Sequence, residues 1–502
     1  MNLNPEGIQL FIIICLCFPF IILFFKRVSH WLLLVQVLIG LFFLLFAFTQ
    51  KGAFPVHTTL GGWEPIKGIE IVFSYESFLF LMTTNIVFFA LIIVSLSKKR
   101  EWNFYFLLSL LITDITCLFV ANDLFNIYVT LELLSLLSYL LISIEFKRKQ
   151  IWSSLKYMIL GAVGFNLYLI GASIIYGEVG TLNLTLLSAS HYKNDFALMM
   201  IMIPLLIKSE VFFFSMWVPS AQTESDSCIS AILSAVVVNA GLFHLLRITG
   251  TLDSEIIGGF LFFTGLITAF FGAIFSALQR DIKMILAFST MSHVGFVLIG
   301  LSNGGLEYAC SHSLYKSLLF LSVGYFYHIH HSKNSQKGIK AVPISLYIAF
   351  LVGFLSFSGI PFFIGSNFKN IILMDTTPVI SLMFKFISVI SIFALCRILF
   401  LLKPMKRFFL IPLYDIGILI LSILSILLGT FNNLEQFSLN YFIESGLILL
   451  ISILLYRLLS KLVPLTYPYK IFKLSSSLAI YSIIIGIMMT LSVLSIPFFR
   501  RF

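Results

Sequence analysis

Long apolar runs alternate with short polar joints from one end of the chain to the other. Ile8 to Phe25 and Trp31 to Phe48 contain no charged residue. An α-helix needs about 20 apolar residues to cross a hydrocarbon core, so runs of this length predict membrane spans. The short apolar–polar alternation of a closed β-barrel is not the pattern here. About 16 spans of the required length can be placed. Their centres fall near Ile14, Gly40, Thr83, Leu111, Leu134, Leu167, Phe212, Val238, Leu266, Val294, Phe320, Phe354, Ile390, Leu421, Leu449 and Ile485. The only long polar joints are residues 50–67, 178–195 and 328–340, and no linker sets a soluble domain apart. The first run lacks a small-residue cleavage site after it and is read as the first span. The pattern therefore predicts an all-α polytopic membrane protein.

The joints test this count. Odd ones carry Lys26 and Arg27, then Lys98, Lys99 and Arg100, then Lys147, Arg148 and Lys149. Further along they carry Arg280 and Lys283, then Lys333, Lys337 and Lys340, then Lys403, Lys406 and Arg407, and finally Arg457, Lys461, Lys470 and Lys473. Even joints hold only Lys51, Lys67, Lys193 and Arg247. Basic residues mark cytoplasmic joints, which places the odd joints inside and both termini outside the cell membrane. The seventh joint is the exception, with Glu224 and Asp226 and no basic residue.

Composition agrees. The chain is 59% hydrophobic and 11% charged, with a mean hydropathy of +1.04. A soluble domain carries about 25% charged residues, so most of this chain faces lipid or other apolar helices. The net charge of +10 does not point to nucleic acid, because the basic residues cluster at span boundaries. The six cysteines, Cys15, Cys17 and Cys117 among them, show neither metal-ligand spacing nor a disulfide framework and read as small buried hydrophobes. There is no P-loop, dinucleotide glycine motif or nucleophile triad, so neither a cofactor nor a metal is predicted. The 55 phenylalanines read as lipid-facing surface and packing.

A charge inside a membrane is costly, so each ionisable residue within a span is a functional candidate. Glu132 lies two turns into Leu124 to Ile144, with no local partner. Its structural alternative is a protonated side chain bonded to a neighbouring helix. Lys208 lies half-way along Met199 to Trp217, between Pro204 and Pro219, which interrupt the helix. Glu210 is two residues on, which on a continuous helix is another face. His312 and Lys316 are four apart and share a face on which a proton can pass. Lys369 follows Gly359-Ile-Pro361 and Gly365, a second broken helix. Asp114 is also within a span, without an assigned role. His244 and His293 read equally as core histidines or relay members. Lys385 reads as a snorkelling side chain, and His328, His330 and His331 as a solvated joint.

Several segments, in order, resemble the antiporter-like subunits shared by Mrp-type cation/proton antiporters and respiratory complex I. They are Leu60-Gly-Gly-Trp-Glu-Pro-Ile-Lys-Gly-Ile-Glu70, Asn122-Asp-Leu-Phe-Asn-Ile-Tyr128 through Glu132 to Tyr139, and Lys156-Tyr157 with Gly161 and Tyr176 to Thr181. They continue with Lys208 and Trp217-Val-Pro219, Gln279 to Lys283 with Ser292-His-Val-Gly295, His312 to Phe320, and Gly359-Ile-Pro361 with Lys369. The resemblance covers about Leu60 to Gly429.

It implies a fourteen-helix core with two inverted five-helix repeats, each holding a broken helix, plus two extra C-terminal spans. The corresponding divisions are residues 1–100, 101–250, 251–405 and 406–502. It also implies a proton pathway through Glu132 with Lys208 as its partner, then His312 and Lys316, then Lys369. Accessory positions are Asn239, His244, His293 and Asp114. A lysine at position 369 is more like the Mrp D type.

The chain departs from the family pattern at three places. Asn239 stands where the family usually has a lysine. Ala221-Gln222 and Ser225 to Cys228 replace the usual joint after the seventh span. Ser74 or Tyr75 stands where the third span usually begins with an aspartate.

The reading is a proton-translocating membrane subunit of a multi-subunit cation/proton antiporter, with Na⁺ as the coupled cation and other membrane subunits as partners. The rival readings are a proton-pumping subunit of a redox-driven complex and a non-conducting structural subunit.

Overall fold

The computed structural model describes residues 5–50, 54–63, 68–215, 217–252, 254–301, 303–331, 340–374, 376–434 and 439–462. The span predicted around Ile485 lies outside these residues, as do Lys470 and Lys473. Helices α1 (Pro5–Phe24), α2 (Ser29–Thr49), α3 (Tyr75–Ser95), α4 (Trp102–Val120), α5 (Leu124–Ile142) and α6 (Arg148–Val179) are single crossings. A short α7 (Leu184–Ala189) leads to an interrupted crossing made of α8 (Asp195–Lys208) and α9 (Val218–Glu224). Next, α10 (Ser227–Ile232) and α11 (Val238–Leu252) join through a π-helical turn at Leu233–Val237. Three further crossings are α12 (Glu255–Leu278), α13 (Ile282–Ile299) and α14 (Gly305–His330). A second interrupted crossing, α15 (Ile344–Ser358) and α16 (Ser366–Met374), precedes α17 (Pro378–Leu399), α18 (Pro412–Leu434) and α19 (Leu439–Leu462).

Twelve helices among the described residues are long and apolar enough to cross a membrane. The 26-residue α14 adds one, its mean hydropathy lowered by polar residues such as His312 and Lys316. The two interrupted crossings bring the total to fifteen, and each falls on a predicted centre. The breaks follow the backbone chemistry. Pro219 sits in the first turn of α9, where its missing N–H costs nothing. Gly359 ends α15 at φ +77°, a left-handed conformation natural to glycine.

Contacts between joints agree with the alternation of sides. Strand β1 (Val56–Thr59) pairs antiparallel with β2 (Glu70–Phe73) within one even joint. Ile71 and Ala121 bridge the second and fourth joints, and Asp123 and Asn183 the fourth and sixth. On the opposite face, β3 (Lys340–Val342) runs parallel to β4 (Leu402–Pro404), joining two odd joints. The acidic seventh joint is also explained. Asp226 pairs with Arg100 at 2.7 Å and Lys98 at 3.2 Å, so it sits on the basic face and is neutralised there by the third joint. Burial would raise the Asp226 carboxyl, but Arg100, Lys98 and Lys283 outweigh that and hold it far below the usual carboxylate range.

The most enclosed helices are not the most apolar ones. The span Ser227–Leu252 and α13 are wholly buried among their neighbours, whereas α1, α2 and α19 turn most of their surface outward. Close approach of α12 and α13 depends on small residues. A Cβ on Gly272 would stand 2.5 Å from the Ser292 backbone nitrogen. This central group, with α8 and α14, carries Lys208, His244, His293, His312 and Lys316, while Asp114, Glu132 and Lys369 come from α4, α5 and α16.

Candidate functional site

Lys208 is the last residue of α8 rather than the middle of a continuous helix. Its side chain is 2% exposed. The ammonium donates to Ser135 Oγ at 2.8 Å and to the Tyr157 hydroxyl at 2.6 Å. Tyr157 is held by Trp217, stacked 3.5 Å away, and by the edge of Tyr139. The carbonyl end of α8 favours a cation at this place. Glu132 lies one turn before Ser135 on α5. It does not touch Lys208: no ion pair within 4 Å joins them, and Glu132 Oε2 has no hydrogen-bond partner among the described residues. Ser135 takes the contact that the sequence assigned to the carboxylate. The two charges still act on each other through the intervening space.

Asp114 on α4, only 4% exposed, has no hydrogen-bond partner for either oxygen among the described residues, and like Glu132 it faces Lys208 through space. Lys208 is thus faced by two carboxylates, where the sequence offered one.

The central group lies on α13 and α14. Lys316 is fully buried and donates to Ser289 Oγ at 2.6 Å and the Leu286 carbonyl at 3.2 Å. His312, one turn earlier, has no hydrogen-bond partner at either ring nitrogen among the described residues. Its ring lies 6.2 Å from that of His293. Nδ1 of His293 is 2.7 Å from both the Tyr308 and Tyr315 hydroxyls. His293 therefore joins this cluster, with its Nε2 unpartnered among the described residues. Asn239 turns to α14 instead of Lys208. Its amide donates to the Ala309 carbonyl at 2.8 Å and to Ser313 Oγ at 2.5 Å.

At the second break Lys369 occupies the first turn of α16 and is 4% exposed. Its ammonium lies 5.6 Å from the Phe296 ring and 5.7 Å from the Phe384 ring. The chain of Lys369 crosses Gly359 at the carbonyl end of α15.

The remaining candidates lie elsewhere. His244 Nε2 is 3.0 Å from the Leu118 carbonyl on α4, away from the lysines. Lys385 forms an ion pair with Glu444 of α19 at 2.8 Å, a partner that sequence spacing could not supply. His330 Nε2 lies 2.9 Å from the Ala341 carbonyl in the basic joint. Ser74 caps α3 by accepting from the Ser77 N–H, which is the local task an aspartate would perform there.

Sequence reasoning missed Glu70, which gathers three joints. Its Oε1 lies 2.8 Å from His57 Nδ1, and its Oε2 accepts from Asn183 at 2.6 Å and Asn122 at 2.7 Å. Burial alone would raise this carboxyl, but the hydrogen bonds from His57, Asn183 and Asn122 outweigh it and hold the group below its ordinary value.

These groups form a succession of buried bases with acids grouped at its first end. Ionisable groups buried at membrane depth in such an order are the arrangement found in proton relays. The family model for NADH:quinone oxidoreductase/Mrp antiporter transmembrane regions matches residues 121–391, just over half of the chain and most of this array. The chain belongs to the NADH:quinone oxidoreductase/Mrp antiporter family.

Among similar members, a Staphylococcus epidermidis chain named as antiporter subunit mnhD2 is 26% identical over 434 residues, covering 80% of this chain and 86% of its own. The chain of the same name from Staphylococcus saprophyticus is 28% identical, covering 73% and 78%. Two solved structures share the fold. A chain of the Mrp complex from Dietzia sp. superposes with a TM-score of 0.79 at 18% identity, covering 91% of this chain and 98% of its own. A chain of the membrane-bound sulfane sulfur reductase, an archaeal respiratory membrane complex, superposes at 0.77 with 23% identity, covering 90% and 98%. Glu132, Lys208, Asn239, Lys316 and Lys369 all lie within the matched residues, and Asp114 lies just before them.

Proposed function

We propose that the chain is the proton-translocating membrane component of a multi-subunit cation/proton antiporter of the Mrp type, most like the D type. The observation that carries this reading is the row of buried lysines, Lys208, Lys316 and Lys369, with Asp114 and Glu132 facing the first of them. The relatives named as antiporter subunits support it. Residues 101–250 and 251–405 form the two units, each of five crossings with the interrupted one fourth. An odd number of crossings makes the second unit start from the opposite face, so the two are inverted. Residues 1–100 and 406–502 flank them. The basic face with Lys98 and Arg100 is cytoplasmic, and the chain lies in the cell membrane beside other subunits.

The mechanism follows from poorly screened charge. Buried charges interact strongly at separations that water would mask. A proton reaching Glu132 or Asp114 removes a negative charge facing Lys208 and changes which partners hold its ammonium. That shift passes to His312, His293 and Lys316 and then to Lys369, while a cation, Na⁺ in this reading, moves the other way. Replacing Glu132→Gln in the assembled complex removes the charge at nearly constant shape. Na⁺-driven proton exchange in everted vesicles should be lost while assembly survives. Retained exchange in this variant rejects the reading.

A redox-driven proton pump is the second reading, favoured by the shared fold with the sulfane sulfur reductase chain. Gentle purification of the complex followed by mass spectrometry separates the two. Small membrane subunits alone support the antiporter, and iron–sulfur or flavin proteins support the pump.

A further inference from the structure

Between the Lys208 site and Lys316 the family's usual lysine is absent, and Asn239 in its place is committed to α14. A different ionisable residue stands in the gap. Glu210 is 1% exposed and lies just after α8, where the helix has already ended. Its backbone has φ +62°, a left-handed conformation that a long side chain adopts only with strain. The face rule for residues two apart assumes a continuous helix. At this break it fails, and Glu210 is carried inward toward the central group. Its Oε1 accepts from Gln222 Nε2 at 2.6 Å. Its Oε2 is buried without a hydrogen-bond partner among the described residues. A carboxyl kept only for structure would have both oxygens satisfied, because an unsatisfied buried polar atom is destabilising.

The charged and titratable groups facing Glu210 lie on both sides of the gap. Gln222, which holds Glu210, lies on α9; α9 packs on α13, whose Ser289 accepts from Lys316 of α14, and the Glu210 and Lys316 charges face each other across this gap without an ion pair within 4 Å. On the other side its charge acts on Tyr157 of α6, whose hydroxyl holds the Lys208 ammonium at 2.6 Å.

We propose that Glu210 is the proton carrier linking Lys208 with Lys316, in place of the lysine missing at position 239. This rests on the reading of the chain as a proton-translocating subunit. The Lys316 ammonium gives a proton to the Glu210 carboxylate, leaving a neutral amine and a neutral carboxyl. The carboxyl then gives that proton to a neutral Lys208 amine, restoring the carboxylate and forming an ammonium. The reverse order carries protons the other way, and no other reactant is consumed. Gln222 holds one oxygen in place while the unpartnered one takes and releases the proton.

The test uses the full complex in everted vesicles, with Na⁺-driven proton exchange measured for wild type, Glu132→Gln, Glu210→Gln and Glu210→Gln with Asn239→Lys. Glu210→Gln keeps the bond to Gln222 and should lower exchange at least tenfold with assembly intact. Adding Asn239→Lys should restore a large part of it, because a carrier returns to the gap. The pH-difference infrared spectrum of wild type should contain a carboxyl C=O band that Glu210→Gln removes, a readout that a purely structural role would not produce. Exchange in Glu210→Gln within twofold of wild type overturns the proposal. So does a loss that Asn239→Lys does not restore, with no carboxyl band lost. If Glu132→Gln exchanges like wild type, the antiporter reading itself fails. If Glu132→Gln is inactive and Glu210→Gln is not, only the role of Glu210 falls.

Discussion

Lys208 and Lys369 stand at the two interrupted crossings, and their surroundings differ. Lys208 ends α8, while Lys369 begins α16. The end of a helix favours a cation and the start opposes one. Yet Lys369 reaches back over Gly359, so both ammonium groups come to the carbonyl end of the first half-helix of their break. Their neighbours then diverge. Lys208 has two hydroxyl acceptors and faces Asp114 and Glu132. Among the described residues Lys369 has aromatic rings and no acid within 4 Å. One backbone device thus serves two tasks. The first break holds its charge among opposing charges that can be switched. The second offers little to hold a proton, which suits a site that passes it on.

The largest expected effect comes from removing each ammonium. Lys208→Met leaves the buried Asp114 and the half-buried Glu132 facing no cation. That should cost about 3 kcal/mol, seen as a lower unfolding temperature of the purified complex, together with loss of exchange. Lys369→Met orphans no acid. It should abolish exchange with a stability change under about 1 kcal/mol, because a buried charge gives way to a packed apolar chain. Equal destabilisation by the two substitutions would break the contrast.

Gly359→Ala sharpens it. A Cβ there would stand 2.9 Å from Lys369 Cδ and 3.0 Å from the Tyr441 hydroxyl, at φ +77°. The backbone penalty of about 1–2 kcal/mol should come with slower exchange, since the lysine must move. Gly180 is the control, with the same φ of +77° and open space where a Cβ would go. Gly180→Ala should show the stability loss alone.

A smaller effect belongs to the hydroxyls. Tyr157→Phe or Ser135→Ala removes one of the two bonds that hold Lys208. A hydrogen bond to a charged group is worth about 1.5–3 kcal/mol, so exchange should fall by roughly tenfold in either variant. Unchanged exchange in both would mean that the carboxylates alone place the ammonium.

Much of this architecture is legible in the sequence. Fifteen span centres, both breaks and the alternation of the joints follow from apolar run length, Pro219, Gly359 and the positions of lysine and arginine, whereas Pro204, expected to interrupt its helix, lies inside α8, which continues to Lys208. What fails to show are relations across helices. Ser135 looks like any serine in an apolar run until α8 is laid against α5. Asp114 gains meaning only when Lys208 faces it. A rule for intact helices turns Glu210 away from Lys208, and only its positive φ reveals that the helix has ended. Asp226 looks like an exception to the charge pattern because its partners, Lys98 and Arg100, lie far away in the chain.

The smallest effect tests whether an acid outside the spans shares in transport. Glu70 ties the joint carrying β1 and β2 to Asn122 and Asn183. Its hydrogen bonds hold the carboxyl below the ordinary value of 4.5 despite burial. A carboxyl depressed in the folded state adds stability above the unfolded value, and that stability is lost as pH falls through the folded one. Wild type should therefore exceed Glu70→Gln in unfolding temperature near neutral pH, and the gap should close as pH falls below the ordinary carboxyl value and through the depressed folded one. Exchange at neutral pH should be the same in both, because no buried lysine faces this carboxylate among the described residues. A gap that is constant with pH would assign the effect to lost packing instead of charge. A fall in exchange would extend the array of acids that begins at Asp114 and Glu132 out to this face.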